Sequence, residues 1–346
     1  MIDCDVHNLV PSIQTLYPYL PRHWVEYCEQ SAFRGPADTA YPPNAPTTVG
    51  PLWRDVSPSA GTNVDVLRRQ LLDPLGIEVA ILNCVYAVES IHNPDTAMAM
   101  AAAVNDWQRI EWLDPEPRLR ASIVVPSQQP EMAAQEIDRV AADHRFVQVL
   151  LPVRSAMPYG NRHYHPIFEA AERHDLAVGL HFGGAPGIPP TGAGWPSYYL
   201  EEYAGMAQVF QTQILSLVAE GVFERFRTLR VACIEGGFTW LPSLLWRLDK
   251  EWRGLRRDVP WVNKAPSEYV YDHMAFSIRP LDPPPDPSDL AKVIEDIGHD
   301  GLLLFATDYP HWHFDSLSHA VPDAIPDPYR PTILAGNARR FYRLEP

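Results

Sequence analysis

Asp5-x-His7, His181 and Asp308 are the residues of this chain whose types and places suggest chemistry. Each stands where an apolar run stops and a Gly- or Pro-rich stretch begins. Two imidazoles and two carboxylates are a donor set for one divalent cation, if a single fold brings segments some 300 residues apart in sequence together. On a regular strand Asp3, Asp5 and His7 would share one face, with Cys4 and Val6 on the other. Carboxylates aimed into a packed interior need a partner, and a cation supplies one.

Further groups stand close to these in sequence. Glu235 ends the run Arg230-Val-Ala-Cys-Ile-Glu235 ahead of Gly236-Gly237, where it can act as a general base or orient a neighbouring ligand. His311 and Trp312, in His311-Trp312-His313, are expected on the substrate side of Asp308 because a loop gives H-x-H no fixed ligand geometry. Arg154 closes another run and can grip a substrate carboxylate or form an ordinary salt bridge. Trp195, Tyr198 and Tyr199 are expected to wall a flat substrate. His163-Tyr164-His165 precedes Pro166, which reads as a helix start rather than a ligand pair.

These residues need elements to position them. Eight β-branched or apolar runs, at 2–7, 79–84, 120–125, 146–151, 177–181, 230–235, 273–277 and 302–307, read as strands. Helical patterns at 64–74, 95–112, 130–142, 164–174, 201–219, 239–253 and 287–297 alternate with them, and a last helix follows Gly336. Strands alternating with helices indicate an α/β protein with a parallel sheet, and eight of them fit a (β/α)8 TIM barrel. No Gly-rich dinucleotide fingerprint follows the first strand, which disfavours an open Rossmann sheet. Residues 31–61, 183–197 and 281–287 are long Pro/Gly-rich stretches that each follow a strand, so a barrel would place all three on its C-terminal face. The expectation is one domain spanning 1–346, with a loop insertion at about 31–61.

The chain of 346 residues is 46% hydrophobic and 21% charged, an ordinary globular composition. Its net charge of −15 argues against nucleic acid or an anionic membrane as a partner. Cys4, Cys28, Cys84 and Cys233 show no CxxC pair, and no apolar run approaches the ~18 residues of a membrane span. A reduced, cytoplasmic protein acting on a small molecule is expected.

The opening D-x-D-x-H, His181, Ile234-Glu235-Gly-Gly-Phe-Thr-Trp-Leu-Pro242 and Ala306-Thr-Asp-Tyr-Pro-His311 together resemble the amidohydrolase-related family. The similarity is to the branch containing aminocarboxymuconate-semialdehyde decarboxylase and other non-oxidative decarboxylases, and it runs to Gly336-Asn337-Ala338. The resemblance implies a barrel with one catalytic divalent metal, commonly zinc or manganese, held by Asp5, His7, His181 and Asp308. It also implies a homodimer. Two departures stand out: Asp5 replaces the first histidine of an H-x-H pair, and Glu235 stands where the named decarboxylase has a strand-6 histidine. Binuclear relatives carry a bridging lysine on strand 4, and Phe146-Val-Gln-Val-Leu-Leu-Pro-Val-Arg154 has none, which implies a single cation.

Two mechanisms fit that ligand set. A carboxy-lyase would release carbon dioxide from a small aromatic or unsaturated acid, with Asp308 delivering the proton. A hydrolase would use a metal-bound water on an ester, lactone, amide or carbon–carbon bond. A third reading is a barrel that binds a ligand without catalysis.

Overall fold

The computed structural model describes residues 1–37, 48–54, 59–184, 188–189, 192–299 and 301–345. Eight strands lie in sequence order, every neighbouring pair parallel: β1 (Ile2–Val6), β2 (Val79–Leu82), β3 (Leu119–Val124), β4 (Phe146–Arg154), β5 (Ala177–Gly184), β6 (Arg230–Ile234), β7 (Met274–Ser277) and β8 (Leu303–Leu304). Parallel neighbours require a crossover, and a helix supplies it between successive strands. Cys4 N donates to Phe305 O (2.9 Å), Asp308 N to Asp5 O (3.0 Å) and His7 N to Tyr309 O (2.8 Å), closing the last strand onto the first. The fold is the (β/α)8 barrel expected from the sequence.

Ile2, Cys4, Val79, Ile81, Val147, Ala177, Ala232, Ile234, Ala275 and Leu304 fill the barrel interior. Ala338 and Tyr342 from the C-terminal segment join that cluster, and the Tyr342 hydroxyl donates to Gln148 Oε1 at 2.9 Å. Above this apolar layer lies a polar one. Asn83 takes hydrogen bonds from Ser122 (2.7 Å) and Gln148 (3.1 Å) on its Oδ1, and its own amide donates to Asp5 Oδ1 at 2.9 Å. A Cβ at Gly179 would stand 2.5 Å from the Gln148 amide, so any larger residue would push that amide out of its hydrogen bonds. Between the strands and the helices a larger apolar cluster holds Val6, Ala80, Leu82 and the inward faces of the helices.

One expectation fails in β1. Asp3 pairs with Ala80 and Val6 with Leu82, so Cys4 and Asp5 both stand opposite Ile81. This bulge breaks the simple alternation. Cys4 packs in the barrel interior and Val6 in the outer layer, on different faces rather than one. Asp3 is displaced from the Asp5/His7 side: its Oδ2 accepts from Thr307 Oγ1 (2.6 Å) and its Oδ1 from Thr307 N (3.0 Å). Asp3 therefore ties β1 to the segment after β8.

β8 is also shorter than the expected 302–307, spanning only Leu303–Leu304. Residues 305–307 follow the strand without a regular ladder, because Phe305 N turns to Ile333 O and Thr307 N to the Asp3 side chain. In contrast β4 and β5 run past their expected ends to Arg154 and Gly184. The stretches 38–47 and 55–58 of the expected 31–61 insertion lie outside the described residues, as do 185–187 and 190–191 of the loop after β5. The part described at 48–54 returns to the barrel mouth, where Gly50 N donates to Pro310 O (2.8 Å) and Val49 bridges to His311. All four cysteines are free and buried, and among the described residues no helix is long and apolar enough to cross a membrane.

Candidate metal centre

Asp5, His7, His181 and Asp308 come together at the C-terminal ends of β1, β5 and β8, each at most 1% exposed. His7 Nε2 lies 2.9 Å from Asp308 Oδ1 and 3.7 Å from Asp5 Oδ1, and His181 Nε2 lies 3.2 Å from the same Asp5 oxygen. His181 is oriented from its other side, with Nδ1 2.9 Å from the Phe182 carbonyl. Two ligand-capable groups overlap at His7: Asp5, His7 and His181 form one, and His7, Glu235, Asp308 and His311 the other. Within each, the ligand atoms lie within 4.8 Å of one another.

Glu235 and Asp308 both take left-handed backbone, with φ of 60° and 58°, a conformation that side chains other than glycine rarely adopt. Such strain persists where the surroundings fix it, and it clusters at functional sites. The Glu235 N–H donates to Ser277 Oγ (2.9 Å), and that hydroxyl donates to Arg279 O (2.9 Å). The buried Arg279 guanidinium then donates to the carbonyls of His313 (3.0 Å), His319 (3.0 Å) and Ala320 (2.8 Å). One chain of bonds thus fixes the ends of β6 and β7 and the loop after β8.

Two groups that sequence reasoning passed over complete the cluster. His313 places Nε2 2.7 Å from Asp308 Oδ2, while His311 Nδ1 lies 2.8 Å from Asp308 Oδ1. Tyr203, on the helix Tyr199–Ala219, donates to Glu235 Oε1 at 3.0 Å, and its hydroxyl lies 2.9 Å from His313 Nε2. His313 was visible as the second half of H-x-H. Tyr203 had no signal at all, being one tyrosine inside a long helix.

Charge explains the proton affinities of the metal-free cluster. Burial pushes the Asp308 carboxyl up, but the adjacent His311 and His313 overcome it and hold Asp308 well below the usual carboxylate range. Burial pushes His181 down, yet Asp5 and then Glu235 reverse this and lift it to about 10. His313 is likewise lifted to about 10 by Asp308 and Glu235 against the effect of burial. Among the described residues no lysine or arginine pairs with Asp5 or Asp308. Asp5 Oδ2 and His7 Nδ1 are buried without a hydrogen-bond partner. Two buried carboxylates set among imidazoles, with orphaned donor atoms beside them, fit a divalent cation of the zinc or manganese type.

The other expected site residues fall around this centre. Trp312 presents its ring edge-on to Tyr203 at 5.8 Å, and Phe182 lies 4.9 Å from Tyr203 on another side. Arg154 is buried and paired with Glu202 at 2.9 Å, so its charge is matched within the protein. Trp195 is largely exposed on the loop after β5 and does not line the cavity at the barrel mouth. That cavity, about 30 Å³, is lined by His181, Gly183, Gly184, Tyr86, Glu89 and Pro152 among others. His165 packs edge-on against Phe226 at 5.2 Å, in keeping with a packing role.

A family model described as amidohydrolase matches residues 2–344. A gamma-resorcylate decarboxylase of Polaromonas sp. (strain JS666 / ATCC BAA-500) is 27% identical over 302 residues, covering 80% of this chain and 86% of that protein. Among solved structures, a 5-carboxyvanillate decarboxylase from Sphingomonas paucimobilis superposes with a TM-score of 0.72 at 20% identity, covering 100% of this chain and 99% of the other. A dihydroxybenzoic acid decarboxylase from Polaromonas sp. JS666, with bound manganese and the inhibitor 2-nitroresorcinol, superposes with a TM-score of 0.67 at 22% identity. That match covers 99% of this chain and 96% of the other.

Proposed function

The chain belongs to the amidohydrolase family, and from that premise we propose that it is a metal-dependent carboxy-lyase acting on a small hydroxylated aromatic acid. The observation that carries this reading is the buried cluster of Asp5, His7, His181 and Asp308 at the mouth of the barrel. Gamma-resorcylate decarboxylases among the relatives support the lyase side of the choice. The absence of a lysine in β4 supports a single cation.

Asp5, His7, His181 and Asp308 would hold the ion, with manganese the first choice because a decarboxylase of the same fold binds it. When bound, it supplies positive charge that steadies the carboxylate and neighbouring hydroxyl oxygens of the substrate. Asp308 and His313 hold a proton between Oδ2 and Nε2, 2.7 Å apart. That proton passes to the ring carbon bearing the carboxylate. The carbon–carbon bond then breaks, its electron pair restores the ring, and carbon dioxide leaves. Glu235 takes the place of a strand-6 imidazole, and His313 supplies an imidazole from the loop after β8 instead. Tyr203 fixes both Glu235 and His313 through its hydroxyl. His311 and Trp312 bound the substrate side, with Phe182 and Tyr203 limiting water. Arg154 acts through Glu202, anchoring the helix Tyr199–Ala219, rather than through a substrate carboxylate.

The test is to incubate manganese-loaded protein with a panel of hydroxybenzoates and, separately, with esters, lactones and amides. Carbon dioxide in the headspace from one or more hydroxybenzoates is expected. Acid production from the second panel without carbon dioxide from the first would replace this reading by the hydrolase one.

A further inference from the structure

Asp5 stands on an irregular stretch of strand. Cys4 and Asp5 both oppose Ile81, so the ladder between β1 and β2 does not by itself fix where the Asp5 carboxylate points. One residue spans that irregularity. Asn83, just past the end of β2 and fully buried, donates through Nδ2 to Cys4 O (3.2 Å) and to Asp5 Oδ1 (2.9 Å). Its backbone N–H donates to Val6 O (2.8 Å), so three consecutive residues of β1 are bonded to one asparagine. The Asn83 amide has only one way round, because a carboxylate that binds a cation accepts hydrogen bonds and does not donate them. Its Oδ1 must then accept, and it does so from Ser122 Oγ (2.7 Å) and Gln148 Nε2 (3.1 Å). The Ser122 hydroxyl has given its only proton, so it accepts from Gln148 Nε2 as well (2.9 Å). That leaves Gln148 Oε1 to accept from the Tyr342 hydroxyl (2.9 Å).

A polar layer inside an apolar barrel is costly unless every member is satisfied, and apolar side chains of like shape would fill the same space. Here the donors all run in one direction. They start at Tyr342, which lies with Phe146 and Leu176 beside the N-terminal ends of β4 and β5, and finish on Asp5 at the opposite mouth. The layer anchors one Asp5 oxygen and leaves the other, Oδ2, buried without a hydrogen-bond partner. Resting on Asp5 as a ligand of the metal centre, we propose that Asn83, Ser122, Gln148 and Tyr342 form one positioning relay. It holds the Asp5 carboxylate ready for the cation, so a hydroxyl at the far end of the barrel contributes to metal affinity. None of the four is a catalytic residue: each acts through the next, and only Asn83 touches a ligand.

Manganese affinity, measured calorimetrically on the full chain after chelation, tests this without turnover, and the melting temperature of the same metal-free protein reads the fold separately. Asn83→Leu, close in volume, should bind manganese about tenfold to a hundredfold more weakly, the scale of losing a group that orients a metal ligand. Tyr342→Phe removes one oxygen at the far end of the relay and should bind about threefold more weakly, as one neutral hydrogen bond gives. In the double variant the Tyr342 effect should vanish, because the relay is already cut at Asn83. A purely structural layer would lower the melting temperature and leave affinity alone. Wild-type manganese affinity in either single variant, whatever its melting temperature, therefore overturns the relay, as does a Tyr342 effect undiminished in the double variant. Should Asn83→Leu not fold, Tyr342→Phe decides alone by the same criterion. Failure of the wild type to bind manganese overturns instead the metal centre on which the carboxy-lyase reading stands.

Discussion

Asp308 carries more of this site than any other side chain. Its Oδ1 meets His7 and His311, and its Oδ2 meets His313, at distances between 2.7 and 2.9 Å. Asp308→Asn removes the charge that holds the proton on His313 but leaves Asp5, His7 and His181 to bind the ion. We expect elemental analysis of that variant to find metal still bound, and its turnover to fall about 10³-fold, the scale of a lost acid–base group. Wild-type rates would remove Asp308 from proton transfer. Tyr203 acts at one remove. Tyr203→Phe deletes the hydroxyl shared by Glu235 and His313, and should lower kcat about tenfold with KM and metal content little changed, as loss of one hydrogen bond to a charged group implies. A change confined to KM would place Tyr203 in substrate binding instead. His181 and Asp308 were legible in the sequence because an ionisable residue ending an apolar run is conspicuous. Tyr203 was not, since a helix gives one inward tyrosine the same appearance as a packing residue.

At the scale of elements, the order of strands and helices was readable because each apolar run is short and most are soon followed by a Gly or Pro breaker. The β1 bulge was not readable: Asp3, Cys4 and Asp5 obey an alternating pattern in sequence, and only the register against β2 reveals that two residues oppose Ile81. Nor was the return of residues 48–54 to the loop after β8, which depends on backbone contacts that no side-chain pattern encodes. The elements are also held by charge away from the mouth. Glu116, before β3, accepts from Arg118 Nε (2.9 Å) and from Arg68 Nε (2.7 Å) on the helical stretch that follows Asn63. Hydrogen bonds from Arg118, and then Arg68, hold its carboxyl down to about 2, with burial opposing. A depressed carboxyl stabilises the fold above its ordinary value near ~4.3, and that contribution is lost as pH falls through the folded value. The melting-temperature difference between wild type and Glu116→Gln should therefore hold steady above about pH 5 and close as pH approaches about 2. A difference that stays constant over that range would show that the ionised carboxylate is not what ties these segments.

Across the whole molecule, closure of the barrel is what makes the site. His7 and Asp308 are 301 positions apart, yet they touch because β8 seals against β1. The barrel architecture was legible from eight strand–helix alternations and from the motifs at their ends. The substrate was not, because the cavity wall is assembled from the loops after several strands. The net charge of −15 adds a constraint at this scale: an anionic acid approaches against the overall field, so local cationic charge at the barrel mouth must draw it in. The claim that organises all of this is cleavage of a carbon–carbon bond with protonation of the carbon left behind. The most direct measurement is turnover of a hydroxybenzoate by manganese-loaded protein in D2O, with the phenolic product and headspace gas read by mass spectrometry. The account predicts one molecule of carbon dioxide per phenol, and one deuterium on the carbon that lost its carboxylate. No carbon dioxide from any hydroxybenzoate, alongside hydrolysis of an ester, lactone or amide by the same preparation, would contradict it.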